Sequence, residues 1–130
     1  MLYECALEAR SYECDIHGHI NNAVYLNYLE VGRYDFLQKA GVRYDEMRAR
    51  GYGLVVSRIR IDYRNAAFRG DQLRVVTAPL VKGRVRCVFS QRVYRGQELV
   101  ADAEVTWACV GPDGRPVPLP PELDLPELEP

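Results

Sequence analysis

Along the first ten residues apolar and polar side chains alternate: Tyr3, Cys5, Leu7 and Ala9 fall on one side, with Glu4, Glu8 and Arg10 largely on the other. A period of two predicts a half-buried strand over residues 2–10. Residues 11–21 are polar, carry Gly18 and contain both histidines, His17 and His19. From Asn22 the period becomes helical, and Tyr25, Leu29, Gly32, Phe36 and Ala40 line one stripe, flanked by Leu26, Tyr28 and Leu37. Asn21 or Asn22 can cap a helix over 22–40 and Gly41 can end it. Residues 44–50 predict a short helical turn before Gly51 and Gly53.

Four strand-like segments follow, at 54–64, 73–81, 85–94 and 99–110, joined through Gly70-Asp71, Lys82-Gly83 and Arg95-Gly96. Joints of this kind read as hairpins. In the first segment Val55, Ser57, Ile59, Ile61 and Tyr63 share a face opposed by Arg58, Arg60, Asp62 and Arg64. In the last, Leu99, Ala101, Ala103, Val105, Trp107 and Cys109 share one. A five-stranded antiparallel sheet with one long amphipathic helix lying on it buries these faces together, an α+β layering. Glycine within a helix costs about 1 kcal/mol against alanine, so Gly32 predicts a close approach of helix to sheet. The proline-rich stretch from Gly111 cannot continue the sheet and predicts an extended or frayed tail.

With 130 residues and 48% hydrophobic positions the chain fits one domain, 1–130. Its 17 basic against 18 acidic residues leave no basic surplus for nucleic acid and no bulk attraction to a membrane surface. No apolar run approaches the roughly 18 residues of a membrane span, and the first residues carry neither a basic leader nor an apolar segment, so a cytoplasmic location is expected. Cys5, Cys14, Cys87 and Cys109 form no C-x-x-C pair and read as reduced thiols. Cys14, His17 and His19 match no common zinc spacing, and no metal is expected. A Cys14–His19 nucleophile pair is disfavoured by the adjacent Asp15, whose charge opposes thiolate formation.

Residues 12–26 carry the chemistry. They join a strand to a helix start, where unpaired backbone N–H groups and about half a positive charge can hold a carbonyl oxygen and the oxyanion that develops from it. Asp15 lies just upstream, and a loop turning at Gly18 can return its carboxylate to the helix end. Donors on the carbonyl plus a carboxylate that activates water or attacks directly would suit acyl transfer. An Asp in such a loop, read alone, is more often a turn or cap residue than a catalytic one.

The pattern Tyr12-x-x-Asp15-x-x-Gly18-His19-x-Asn21-Asn22-x-x-Tyr25, with Tyr28-x-Glu30-x-x-Arg33, resembles the signature of the 4-hydroxybenzoyl-CoA thioesterase family of hotdog-fold enzymes. Ile61-Asp62-Tyr63-x-x-Ala66-x-x-x-Gly70-Asp71 is similar to that family's second strand and following turn, with Ala66 where a proline is usual. The likeness covers roughly residues 3–119. It implies a hotdog fold, a sheet wrapped around one central helix, and acyl-CoA thioesterase activity with Asp15 as the catalytic carboxylate. It places the oxyanion donor at the backbone of Asn22 and makes His19 and Asn21 organisers of the loop. His17 departs from the family's usual residues.

Coenzyme A brings a 3′-phosphate and a diphosphate, which favour arginine and lysine at a cleft mouth. By the resemblance, Arg58, Lys82 and Arg84 would meet the nucleotide, although charged outer strand faces are common in any sheet. No cofactor is required, because coenzyme A is part of the substrate. Glu30 reads as the partner of Arg33 in an i,i+3 ion pair, with a catalytic role as a minor alternative. A hotdog hydratase or dehydratase would need a His–acid motif not found here, and a non-catalytic acyl-CoA-binding module would not need Asp15. The unpaired sheet edges predict a homodimer or a dimer of dimers, a homotetramer.

Overall fold

The computed structural model describes residues 1–130. The chain forms β1 (Tyr3–Glu8), a 3₁₀ turn at Ser11–Glu13, α1 (Val24–Lys39), α2 (Tyr44–Ala49), β2 (Gly53–Tyr63), β3 (Gln72–Lys82), β4 (Arg86–Arg95) and β5 (Glu98–Val110). The five strands make one sheet in the order β1-β3-β4-β5-β2, with every neighbouring pair antiparallel. The expected α+β layering is present, and α1 buries the predicted stripe: Tyr25, Leu29, Gly32 and Phe36, together with Tyr28.

The strand alternation holds in β5 from Ala101 to Cys109 but not at Leu99, which pairs with Tyr94 across a register shift that leaves Val100 in the core instead, and it fails in β2. Leu54 and Val56 pair with Cys109 and Trp107, and Ile59, Ile61 and Tyr63 pair with Val105, Ala103 and Ala101. All five therefore face the helix side. The register shifts between Val56 and Arg58, so Ser57 is an extra residue, and Val55 and Ser57 do not share the face of Ile59. A bulge inverts the apolar phase within one strand, which simple alternation cannot register.

The core has two halves. Around the first half of α1, Tyr25, Tyr28 and Leu29 pack with Leu73, Val75, Val93, Val100 and Val105. Around its second half, Phe36 packs with Met47, Phe89, Trp107, Leu123 and Leu128. Between them lies a polar seam. Gln91 is fully buried and donates from Nε2 to the Leu29 carbonyl at 2.9 Å and to Thr77 Oγ1 at 2.9 Å, while its Oε1 accepts from Arg33 at 3.1 Å. Gly32 sits directly over this seam. A Cβ there would stand 2.5 Å from Val75 Cγ1 and 3.1 Å from both Gln91 Nε2 and Thr77 Oγ1.

The C-terminal segment is packed, contrary to the expectation of an extended or frayed tail. Two Pro-Glu-Leu sequences form 3₁₀ turns, Pro121–Leu123 and Pro126–Leu128, each opened by its proline and each burying its leucine in the second core half. Proline keeps the segment out of the ladder, as expected. Its leucines decide where it rests instead. Glu122 is buried in an ion pair with Arg50, and the Val117 and Leu119 amides bond the carbonyls of Cys109 and Arg84.

Gly32→Ala is expected to destabilise the fold. Helix propensity would return about 1 kcal/mol, but overpacking against Val75 costs about 1–3 kcal/mol. Urea denaturation should place the variant below wild type; a gain in stability would mean that the helix is free to ride higher on the sheet.

Candidate active site

The loop between β1 and α1 is held by its own backbone. Asp15 N–H donates to the His19 carbonyl at 2.7 Å, Gly18 N–H to the Asp15 carbonyl at 3.1 Å, and Gly18 adopts φ +82°, a left-handed conformation that favours glycine. Asp15 Oδ1 accepts from the amides of His17 at 2.9 Å and His19 at 3.2 Å. Its Oδ2 takes no protein donor. One carboxylate oxygen is thus fixed and the other is free to react. His19 organises the loop through its main chain, and its exposed ring packs edge-on against Phe68 at 5.3 Å.

The helix start is equally determined. Asn21 N–H bonds the Glu13 carbonyl at 2.8 Å, and the Asn21 carbonyl accepts from Val24 N–H at 2.9 Å. Asn21 Oδ1 accepts from Ala23 N–H at 3.0 Å, so Asn21 is the side chain that ties down the entry to α1. On the next peptide, the Asn22 carbonyl accepts from Tyr63 Oη at 2.8 Å. Both peptides flanking Asn22 are therefore anchored, and the Asn22 N–H itself has no acceptor in the protein. An N–H held this way at a helix entry is available to an oxygen that gains negative charge.

Asp15, His19, Asn22, Tyr25, Tyr63 and Arg64 line one cavity of about 360 Å³. The structure brings together the three residues predicted for the chemistry, and adds Tyr63, the last residue of β2, and Arg64 just beyond it, both of which the sequence reading left on a strand. Arg64 is the one cation in this cavity. Tyr63 is held above the usual tyrosine pKa by partial burial, and so remains the neutral donor to Asn22.

The basic residues lie elsewhere. Cross-strand pairing puts Tyr63 level with Ala101 and Val93, but Lys82 level with Cys87, six residues further along β4, about 20 Å at strand spacing. Arg58 lies opposite Thr106 on the outer face, away from α1. Lys82 departs from the free cation expected of it: its ammonium pairs with Glu129 at 2.8 Å and Asp124 at 3.3 Å, so the packed tail holds it. Arg58 and Arg84 are exposed and carry no ion pair. Glu30 is corrected too, since it makes no ion pair with Arg33, whose guanidinium turns inward to Gln91. Burial lowers the pKa of Arg33, against the opposing pull of Glu30. Glu30 instead lines a separate, largely apolar cavity of about 240 Å³ with Arg33, Leu37, Val56 and Trp107. No three His, Cys, Asp or Glu side chains converge on a common point, and the four cysteines are free thiols.

The sequence pattern of the thioesterase-like superfamily matches residues 9–125. The chain belongs to that superfamily. Over 61 residues, 47% of this chain, it is 39% identical to the acyl-acyl carrier protein thioesterase ATL3 of Arabidopsis thaliana chloroplasts and 38% identical to the long-chain acyl-CoA thioesterase FadM of Escherichia coli. These matches span only 32% and 46% of the two relatives, less than half the length of either. Among solved structures, a DHNA-CoA thioesterase from Staphylococcus aureus superposes with a TM-score of 0.86 at 26% identity, covering 91% of this chain and 80% of its own. The fold is the hotdog arrangement that the loop signature implied.

Proposed function

We propose that this member of the superfamily hydrolyses an acyl-coenzyme A thioester to the free acid and coenzyme A, with Asp15 and the Asn22 amide acting on one carbonyl. The observation that carries this reading is the Asn22 N–H, unpaired and fixed on both sides, in the same cavity as the free oxygen of Asp15. A thioester carbonyl seated on that amide is stabilised most when its oxygen becomes an oxyanion. Asp15 Oδ2 then takes a proton from a water that adds to the carbonyl carbon, or adds to that carbon itself. Collapse of the tetrahedral oxyanion breaks the C–S bond, and the sulfur leaves as the coenzyme A thiolate, which takes the proton held by Asp15 on the water route or one from solvent on the direct route. On the direct route a water then hydrolyses the anhydride left on Asp15, giving the free acid and restoring the carboxylate.

Within one copy Arg84 lies at the end of the sheet away from the Asp15 cavity. β2 is an edge strand on which Val55 and Val56, on opposite faces, are both left exposed, and antiparallel pairing of two such edges would set the start of one β2 beside the end of the other. That would carry one copy's Arg84, at the β3–β4 turn level with the start of β2, toward the other's Asp15 cavity, and leave Arg58, the central residue of β2, near the seam between the copies. The oligomer in this reading is a homodimer or a dimer of dimers. Four free thiols favour a reducing, cytoplasmic setting. No helix is long and apolar enough to cross a membrane.

Asp15→Asn is expected to keep the fold and lose about a hundredfold or more in kcat for thiol release from an acyl-CoA, the scale of a lost general base. Glu30→Gln should change kcat by less than about tenfold, because Glu30 makes no ion pair and lies in the other cavity. Near wild-type turnover in Asp15→Asn, or its loss in Glu30→Gln, would put the chemistry on the wrong carboxylate.

Arg84→Ala should raise KM by about two- to fivefold at low salt, with little effect on kcat, since an exposed charge pair is worth only about 0.2–1 kcal/mol. The difference should shrink as ionic strength rises. A monomer at micromolar concentration that keeps full activity would overturn the two-copy site.

A further inference from the structure

Glu13 is a part of the loop that the activity does not account for. Its carboxylate Oε1 accepts from the Arg10 amide at 2.7 Å and from the Tyr28 hydroxyl at 2.7 Å. Tyr28 belongs to the second turn of α1 and is buried, and its ring sits edge-on to Tyr25, which in turn sits edge-on to Tyr63. Tyr63 holds the Asn22 carbonyl. The main chain of Glu13 acts in the same direction, because its carbonyl accepts from Asn21 N–H at 2.8 Å. One residue is thus tied to the strand exit, to the body of the helix and to the helix entry, two positions before Asp15.

We propose that Glu13 is a positioning residue: it sets the distance between the Asp15 carboxylate and the Asn22 amide, and so the fit of the site to the transition state. The proposal rests on the thioesterase reading for its kinetic consequence and on geometry for its structural one. With the carboxylate removed, the Arg10 amide and the Tyr28 hydroxyl lose their common acceptor, and the 3₁₀ turn that leads to Asp15 is left with only the main-chain bond from Asn21 to tie it to the helix entry. The loop stays closed at Gly18 by its own bonds, so Asp15 keeps its local turn and shifts as a unit against the helix start. Burial, and then the bond to Glu13, raise the Tyr28 pKa above the ordinary tyrosine range, in keeping with its hydroxyl donating to Glu13.

The test uses Glu13→Ala, Glu13→Gln and Tyr28→Phe in the full chain. Glu13→Ala should lower kcat on an acyl-CoA by about tenfold to a hundredfold, the usual cost of a misplacement of about 1 Å, with KM nearly unchanged. Glu13→Gln keeps an acceptor oxygen for both donors and should recover most of the loss. In parallel, amide hydrogen exchange read by NMR should show faster exchange at Asn21 in Glu13→Ala and wild-type protection in Glu13→Gln. If Glu13→Ala does not fold, Tyr28→Phe, which removes only the hydroxyl, should show the same direction of change at smaller size. Unchanged Asn21 exchange in the pinless variant, or kcat and KM falling together without rescue by glutamine, overturns the proposal. Wild-type protein that releases no thiol from any acyl-CoA defeats the thioesterase reading instead, and leaves the exchange measurement to judge the pin.

Discussion

The contact on which the rest of the structure depends is the one at Gly32, where α1 lies so close to the sheet that a single methyl group would collide with Val75. Close approach brings main chain near main chain, and a helix carbonyl facing a sheet at that distance needs a donor. Gln91 provides it. Its amide reaches the Leu29 carbonyl on one side and Thr77 on the other, and its oxygen is met by Arg33. A buried amide with all its stronger bonding positions filled fixes orientation as well as depth, because any slip of the helix would leave a polar group unpaired at about 1–3 kcal/mol. The helix is thereby registered on the sheet at its middle.

Registration at the middle has its effect at the end. From Gly32 back to Val24, the first residue of α1, is eight residues, about 12 Å of helix axis, and a helix is stiff over that length. The start of α1 therefore arrives at a defined place beside the last residue of β2, where Tyr63 bonds the Asn22 carbonyl. The loop from β1 reaches the same place from the other side and presents Asp15 on a turn closed by Gly18. The site is a meeting of three elements, each positioned by something outside it. That is the kind of preorganisation an oxyanion site needs, since its donors must already be in place when charge develops.

How much of this could be seen in the sequence divides by the range of the interaction. The stripe Tyr25, Leu29, Gly32, Phe36 and the alternation of β5 are local periodicities, and they predicted both elements within a few residues. The Asp15–Asn22 loop was legible because its spacing is itself short-range and resembles a known signature. What failed depends on distant partners. The bulge at Ser57 is visible only against β5. The tail was judged by its prolines, whereas Leu123 and Leu128 obey a core formed by Phe36 and Trp107 far away in sequence. Lys82 looked like a free cation until that tail brought Asp124 and Glu129 to it, and Arg33 had a plausible partner three residues away but a buried glutamine 58 residues away prevailed. Glu13 and Tyr63 passed unnoticed because one read as an ordinary loop acid and the other as an ordinary strand aromatic.

The central claim is that the Asn22 amide and Asp15 act on one carbonyl. A crystal structure of the protein with an unhydrolysable acyl-CoA analogue, the thioester sulfur replaced by methylene, tests it directly. The account predicts the analogue's carbonyl oxygen about 2.7–3.1 Å from Asn22 N, with Asp15 Oδ2 about 3–3.5 Å from the carbonyl carbon or from a water held beside it. A carbonyl found instead in the cavity of Glu30 and Trp107, with no atom of the ligand near Asn22 N, would contradict it.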